Sequence, residues 1–544
     1  MKTGIIARSL KELYFRTPIY SWRLNRIAFK EIETPIVDLW PGESEVGRAV
    51  IDGETAGVKV ENGESLWDIK AIDHLSLESL HGFSWLRHLR AQGGEAARKT
   101  ACQLVEGWLV RFSEWHPLVW RADILGERVS AWLGMHDFFC ESANDEFRIS
   151  VLTSIRRQTA HGLGDIDSVQ SGVKRLRAIK GLIIVCLAFR SDLHRIEFLQ
   201  KLLEKEVELQ VNSDGGHISR SPSVHIEVLM ALIDIRNVFR ANGEGTSENL
   251  QEVIGKMTSM LRLWRHGDGK LALFHSTQEN GKSLIESIIG QSESRRKTFY
   301  EAPITGFYKL SAGGSNVIVD SGIGDCNDIG EHASLAAFEF SVGKQRLFVN
   351  CGTSPGNPYI REALRASSAH SMLTIDGFDI LDKKSEPFLR NEAVLLFHKK
   401  SAVKGELLLE LSHDGYKRSH GLTHNRTLYL SASGDDLRGE EGLQYSGDPG
   451  FVPEAAIIRF HLHPRVRASL VQNGSSIILR PTAGGIWRFK TDANLNLSES
   501  LYLGTATRQK TEQIVVTKVL ENIRETGNVI IKWAVCREDG PTSS

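Results

Sequence analysis

Residues Val211–Glu227 read VNSDGGHISRSPSVHIE, and the remainder of the chain is best read outward from them. Asp214-Gly215-Gly216 is a turn that needs a glycine-tolerant backbone. Ser221-Pro222 is a helix start, with a hydroxyl to cap free amides and a proline at the first helical position. The following IEVLMALIDIRNVFR places Val228, Leu232, Ile235 and Phe239 at three- and four-residue steps, so it predicts an amphipathic helix. His217, Arg220 and His225 gather at the positive end of that helix, where an anion would be held. An ordinary capped helix with a polar leading loop accounts for the same residues.

Upstream, from about Ser76 to Gln291, the pattern is almost wholly helical. Segments such as EAARKTACQLVEGWLVRF, SGVKRLRAIKGLIIVCLAF and LHRIEFLQKLLEKEVELQV succeed one another with short Gly, Asp or Pro breaks. Short loops require antiparallel neighbours. GLIIVCLAF is apolar on more than one side, as an inner helix would be. Downstream of about Phe299 the period becomes two. SNVIVDSG, RTLYLSASG, AAIIRFHLH and NVIIKWAV alternate between Gly, Asn and Asp turns, which predicts antiparallel strands stacked as a sandwich. A helical run followed by a strand run implies separate domains. The expected divisions are an N-terminal segment 1–76 with strand-like pieces (VGRAVIDGETAGVKVENGESLWDI), a helical domain 77–295 and a β-sandwich 300–544, joined through QSESRRKTFYEAP.

Composition narrows the function classes. At 544 residues the chain is too long for one core. Lys plus Arg (66) and Asp plus Glu (67) cancel, which removes the basic excess of a nucleic-acid binder. The six cysteines show no CxxC or metal-ligand spacing, so reduced, buried thiols are expected. No apolar run approaches ~18 residues, and no transmembrane segment is expected. MKTGIIARSLKELYFRTPIYSWRLNR lacks the unbroken apolar stretch of a secretory signal, which points to the cytoplasm. Eight of the eleven tryptophans precede residue 133; at helical spacing they read as core before they read as sugar-stacking platforms. Arg156-Arg157 and Lys174-Arg175-Arg177-Lys180 would suit an anionic groove or a solvated helix face equally.

Four stretches, the opening one among them, carry a resemblance. They are DGGHISRSPSVH (214–225), GEHASLAAFEFSVGKQRLFVNCGT (330–353), RASSAHSMLTIDG (365–377) and SHDGYKRSHGLTHNRTLYLS (412–431). In this order, on these element types, the chain resembles the heparinase II/III family of polysaccharide lyases over roughly residues 80–540. The resemblance implies an incomplete α/α toroid followed by an antiparallel β-sandwich, with a cleft between them. It also implies β-elimination on a uronate-containing polysaccharide; a periplasmic or cell-envelope location would follow from the family. That chemistry needs a group to neutralise the uronate carboxylate, a base for the C5 proton and an acid for the leaving oxygen. The catalytic candidates are His225, Tyr416 and His370, with Tyr416 as proton donor and His225 or His217 as base or neutraliser. The substrate-binding candidates are His217, Arg220, His332 and Arg426, whose planar fork matches a carboxylate. Tyr416 reads equally as a corner tyrosine tying a loop to a strand, and His413, His420 and His424 read as solvated loop residues.

The departures bear on mechanism. Where lyases of the family tend to carry Glu and Tyr in the first motif, this chain has Ser219 and Val224, and valine moves no proton. Ser334 and Asn350 stand where zinc-bearing members have carboxylates, leaving His332 and His370 short of a tetrahedral set, so no metal or other cofactor is expected. The expected partner is an acidic polysaccharide or oligosaccharide, not a nucleic acid. The expected activity is that of a lyase with a rearranged site. The alternative is a non-catalytic glycan-binding protein that kept the fold. A toroid hydrolase would need two facing carboxylates ~5–9 Å apart, and no pair stands out.

Overall fold

The computed structural model describes residues 10–27, 30–60, 65–68, 74–245, 248–323, 330–354, 356–380, 394–447, 451–505 and 507–538. The chain divides into two compact units. One holds Met1–Gln210, Glu227–Ile254 and Gly290–Ser292; the other holds Val211–Ile226, Gly255–Ile289 and Glu293–Ser544.

Helices fill the first stretch of the chain. They are α1 (10–15), α2 (Pro18–Asn25), α3 (Ser44–Ile51), α4 (His74–Gly82), α5 (Leu86–Gln92), α6 (Gly94–Phe112) and α7 (Ala122–Gly134). They continue as α8 (His136–Phe139), α9 (Asp145–Asp165), α10 (Val173–Ala188), α11 (Ile196–Gln210), α12 (Pro222–Ala241), α13 (Glu248–Leu263) and α14 (Lys282–Gln291). Helix α3 corrects the strand-like reading of VGRAVI, residues 46–51. Its buried residues, Gly47 and Val50, stand three apart and so share a helix face. Among the described residues of that stretch, only β1 (Glu54–Thr55) and β2 (Val58–Lys59) pair as strands.

Helix α10 is buried on nearly every side from Leu176 to Ala188, as the apolar run GLIIVCLAF requires. The charge it does carry there, Lys180, donates to Glu127 at 3.0 Å. Helices α7 and α10 touch backbone to backbone through Gly126 and Gly181: a Cβ on Gly181 would lie 2.3 Å from the Gly126 carbonyl oxygen. Gly181→Ala therefore gains helix propensity of about 1 kcal/mol but must push the packed helices away from each other. Overpacking of this kind costs about 1–3 kcal/mol or more, so the expected outcome in urea unfolding is a lower midpoint. A midpoint equal to or above the parent's would show that the helices separate freely.

The tryptophans sort mainly as core: Trp40, Trp67, Trp85, Trp108, Trp120 and Trp132 are buried, whereas Trp22 is 55% exposed and Trp115 half-buried. The basic residues of α9 and α10 are paired rather than free. Lys174 meets Glu78 at 2.8 Å, Arg175 meets Glu206 at 3.4 Å, Arg177 pairs with Glu227, and Arg156 meets Asp192 at 3.2 Å. Cys102, Cys140, Cys186, Cys351 and Cys536 are free thiols; Cys326 lies outside the described residues.

The period-two region forms β3 (Glu301–Ala302), β4 (Phe307–Ala312), β5 (Ser315–Asp320), β6 (Phe338–Val342), β7 (Gln345–Val349), β8 (Leu373–Ile375), β9 (Leu395–Val403) and β10 (Glu406–Tyr416). It continues with β11 (Leu422–Leu430), β12 (Asp436–Tyr445), β13 (Ala455–Leu462), β14 (Val466–Val471), β15 (Ser476–Pro481), β16 (Ile486–Thr491), β17 (Asn494–Tyr502), β18 (Gln509–Val519) and β19 (Asn528–Glu538). Two antiparallel sheets result. One runs β14-β15-β16-β19-β12-β11-β10-β9; the other runs β17-β18-β13-β7-β6-β5-β4-β3, with β8 on β13. Strand β11 alternates strictly between buried and half-buried residues, the signature of one face turned to a core. The sheets meet through aromatics: Phe338 stacks on Trp533 with centroids 5.6 Å apart, and Phe340 meets the edge of Trp487 at the same separation.

Among the described residues no helix is long and apolar enough to cross a membrane.

Candidate functional site

The opening stretch folds as its residues dictate. Gly215 sits at φ +89°, in the left-handed region, and its amide donates to the Asn212 carbonyl at 2.8 Å. Val211 and His217 form an isolated antiparallel bridge that closes the turn. Asp214 pins the turn by accepting from the amides of Ile304 and Thr305 at 3.0 and 2.8 Å and from the Thr305 hydroxyl at 2.6 Å. Gly216 is required by this docking, since a Cβ there would lie 2.0 Å from Thr305 Oγ1. Pro222 opens α12, and Val228, Leu232, Ile235 and Phe239 are all buried.

The loop delivers Arg220 to a buried ionic centre. Its backbone is left-handed at φ +57°, an uncommon conformation for arginine that the surrounding contacts hold in place. Its guanidinium pairs with Asp320 at the end of β5, donates to Glu331 at 2.9 Å, and donates through Nε to the Thr305 carbonyl at 2.9 Å. Arg220 is 4% exposed, Asp320 0% and Glu331 3%. Burial alone would raise the Asp320 carboxyl, but the Arg220 charge and His275 outweigh it and hold the group down at about 2.

Three histidines complete the cluster. His275 Nε2 lies 2.9 Å from Asp320 Oδ2, and its Nδ1 accepts the His332 amide at 3.3 Å. His332 Nε2 accepts the Ser276 amide at 2.9 Å, so its Nδ1 carries the proton and donates to His370 Nε2 at 3.0 Å. His370 in turn donates from Nδ1 to the Ala366 carbonyl at 2.9 Å. His332 and His370 therefore each have a determined tautomer. Burial keeps His332 neutral, and it pushes His370 down to about 4.

His217 and His225 lie at the loop's other side. His217 is buried, its Nδ1 sits 2.8 Å from the Ser219 hydroxyl, and burial pushes it down to about 3. His225 donates from Nε2 to the Met257 carbonyl at 2.8 Å and meets the edge of Trp264 at 5.0 Å. Its Nδ1 is buried without a hydrogen-bond partner, and burial pushes the ring down to about 4. It therefore keeps an unoccupied lone pair.

The structure thus brings His217, Arg220, His225, His332 and His370 into one strand-rich unit. Tyr416 and Arg426 belong to a second buried network. Tyr416, at the end of β10, is 0% exposed and donates to the Leu373 carbonyl at 3.1 Å, and burial raises its phenol far above the usual range. This is the corner-tyrosine arrangement, and the group does not face solvent. Arg426 on β11 is 1% exposed. Its Nε donates to Glu441 at 2.9 Å, Nη2 lies 2.8 Å from the same carboxylate, and Nη1 donates to the Ala336 carbonyl at 2.5 Å. The expected clamp for a substrate carboxylate is occupied by the protein's own.

His413, His420 and His424, expected as solvated loop residues, are all buried. His424 and His413 stand opposite each other on β11 and β10, where side chains of paired strands meet, with Nδ1 and Nε2 2.8 Å apart. His424 also bonds Glu441 at 2.8 Å.

Of the positions with lost carboxylates, Ser334 donates its hydroxyl to Asp320 at 2.7 Å, and Asn350 accepts the Ser371 amide at 3.0 Å. Among the described residues no group of three or more His, Cys, Asp or Glu is arranged to hold a metal ion.

Sequence reasoning missed His275, Asp320, Glu331 and Glu441. Glu331 had a signal, since it precedes His332 within the 330–353 motif. Asp320 closes the apolar run SNVIV, where a carboxylate at a strand end is a weak hint. His275 and Glu441 had none.

Residues 294–534 match the family described as "Heparinase II/III-like, C-terminal". The crystal structure of heparinase III superposes with a TM-score of 0.72 at 13% identity, covering 99% of this chain and 90% of that one. Heparan sulfate lyase HepC from Pedobacter heparinus gives 0.60 at 15% identity, covering 92% and 83%. At these identities the likeness establishes the fold: an incomplete α/α toroid followed by an antiparallel β-sandwich. A sequence relative, FtsZ-localized protein C from Caulobacter vibrioides (strain NA1000 / CB15N), is 29% identical over 482 residues, which are 85% of this chain and 82% of that protein. Residues 294–534 are thus a heparinase II/III-like C-terminal domain, carried on a chain with the heparinase III fold.

Proposed function

We propose that the chain is a polysaccharide lyase-like protein that acts on an acidic, uronate-containing glycan by β-elimination. The observation that carries this reading is a heparinase II/III-like domain within a chain whose length follows the heparinase III fold. With Val224 at the family's tyrosine position and Tyr416 and Arg426 enclosed, the proton chemistry falls to the histidines around α12 and the 330–370 segment. Among His225, His332 and His370, only His225 keeps an unoccupied ring nitrogen. A neutral imidazole with a free lone pair is the base form. The loop 213–221 would have to open for substrate to reach it, because the ring is fully buried.

The test is incubation of the full chain with heparan sulfate, alginate and other uronate-rich polysaccharides. The expected product carries a conjugated C4–C5 double bond and raises the ultraviolet absorbance. His225→Gln should lower that rate by about 10²–10⁴ while leaving glycan binding in place. Absence of unsaturated product from every acidic glycan removes the lyase reading.

A second reading starts from the relative's name and the enclosed charges: a lyase fold that has given up catalysis, binds glycan at most, and localises with FtsZ. It places the chain in the cytoplasm, whereas glycan degradation would place it in the periplasm or cell envelope. Imaging of a fluorescent fusion beside labelled FtsZ separates the two. A diffuse or envelope-wide signal, with no enrichment at FtsZ, removes the second reading.

A further inference from the structure

A cavity in the helical unit is lined by none of the candidate catalytic residues. It has a volume of about 220 Å³ and is walled by α1, the 115–123 segment, the end of α9 and the start of α10. That volume is below the ~300 Å³ at which drug-sized sites begin. It would hold on the order of seven waters at ~30 Å³ each, or one six-membered sugar ring.

The lining is divided by chemistry. Phe15, Trp115 and Trp120 supply aromatic surface. Trp120 is fully buried and Trp115 half-buried, with the Phe15 ring 5.5 Å from Trp115. The polar wall is made of three cations, Lys11, Arg121 and Lys174, and three carboxylates, Glu12, Asp123 and Asp165.

These charges neutralise one another locally. Lys11 meets Asp165 at 2.7 Å, and Arg121 meets Asp123 at 2.5 Å. Arg121 and Lys174 also share Glu78, at 2.9 and 2.8 Å. His161, at the back, is uncharged: burial pushes it down to about 4, and its Nδ1 lies 2.6 Å from the Tyr20 hydroxyl.

We propose that this cavity binds the neutral pyranose ring of a saccharide. The C–H face of such a ring is apolar and packs on an indole, while its hydroxyls both donate and accept. Ion pairs at the wall satisfy both requirements, because their carboxylate oxygens and N–H groups have fixed directions. An acidic sugar is disfavoured, since its carboxylate would meet Asp123 or Asp165 and would have to displace one of them from its cation. The inference does not rest on the lyase reading, because none of these residues belongs to the strand-rich unit.

The test is calorimetric titration of the full-length protein with methyl β-glucopyranoside, N-acetylglucosamine and glucuronate. At least one neutral probe is expected to bind saturably with a Kd of about 1 mM or tighter, and glucuronate at least about tenfold more weakly. Trp115→Ala should weaken the neutral probe about tenfold, the equivalent of ~1.4 kcal/mol of stacking. Gln170→Trp places an indole at the cavity rim from an exposed position and should abolish binding without disturbing the core; it decides the matter if Trp115→Ala fails to fold. The proposal is overturned if neither neutral probe binds, if Gln170→Trp binds as well as the parent, or if glucuronate binds as tightly as the neutral sugars.

Discussion

Replacing Arg220 with methionine is expected to lower the stability of the strand-rich unit by about 3–5 kcal/mol. The figure is that for leaving a buried charge without its partner, and here two carboxylates, Asp320 and Glu331, lose one. The lost hydrogen bond to Thr305 also removes one of the loop's ties to the β3–β4 connection, leaving those made by Asp214. Methionine keeps most of the volume, so a cavity does not explain the loss. Glu331→Gln combined with Arg220→Met should recover some of it, because one of the stranded charges is then gone.

The pH dependence gives an independent check. Asp320 is held down at about 2 in the folded protein against ~3.9 in an unfolded chain. Its contribution is therefore complete above about 4 and is lost as pH falls from there toward 2. The parent should lose stability over that interval. In Arg220→Met the carboxylate has no cation, so the gap between parent and variant should narrow as the acid protonates. Urea unfolding at several pH values reads this directly; a gap independent of pH between 5 and ~3 would mean that Arg220 acts through packing alone.

Arg426→Ala is expected to have an effect of similar size, for a related reason. As a substrate clamp, Arg426 would alter glycan affinity and leave stability unchanged. In the structure it compensates Glu441, which also accepts from Trp533 Nε1 at 3.0 Å and bonds His424. Burial would raise Glu441, yet Arg426 and His424 hold it at about 2. Removing the arginine leaves this carboxylate charged in the sandwich core, at a cost of about 3–5 kcal/mol. Arg426→Lys should not rescue it, because an ammonium cannot span both Glu441 oxygens and the Ala336 carbonyl as the planar fork does. The double variant Arg426→Met, Glu441→Gln should be more stable than Arg426→Ala. Weakened glycan binding at unchanged stability would return Arg426 to the surface of a binding site.

The fold was largely legible in the chain. Period-three spacing marked α12 through Val228, Leu232, Ile235 and Phe239, and period-two spacing marked β11 through RTLYL; both signals arise from local geometry facing a single core. VGRAVI was misread because a short run rich in valine fits either period. The histidines of β10 and β11 were misread because polarity alone suggests exposure, and pairing with Glu441 is invisible until the strands align.

What the sequence determined by itself was local: the Asp214-Gly215-Gly216 turn, the Ser221-Pro222 helix start, the order of helices and strands, and the motifs that carry the heparinase II/III resemblance. Those depend on backbone freedom, capping and spacing within a few residues. Tertiary structure alone decided what Arg220 and Arg426 do. The loop's positive end does meet anions, but they are Asp320 and Glu331, 100 and 111 residues downstream. Arg426 meets Glu441 because their strands pair in register, with residue 426 opposite 441. A charge's role is set by whichever opposite charge shares its desolvated surroundings, and that is fixed by chain folding over long separations, not by the residues beside it.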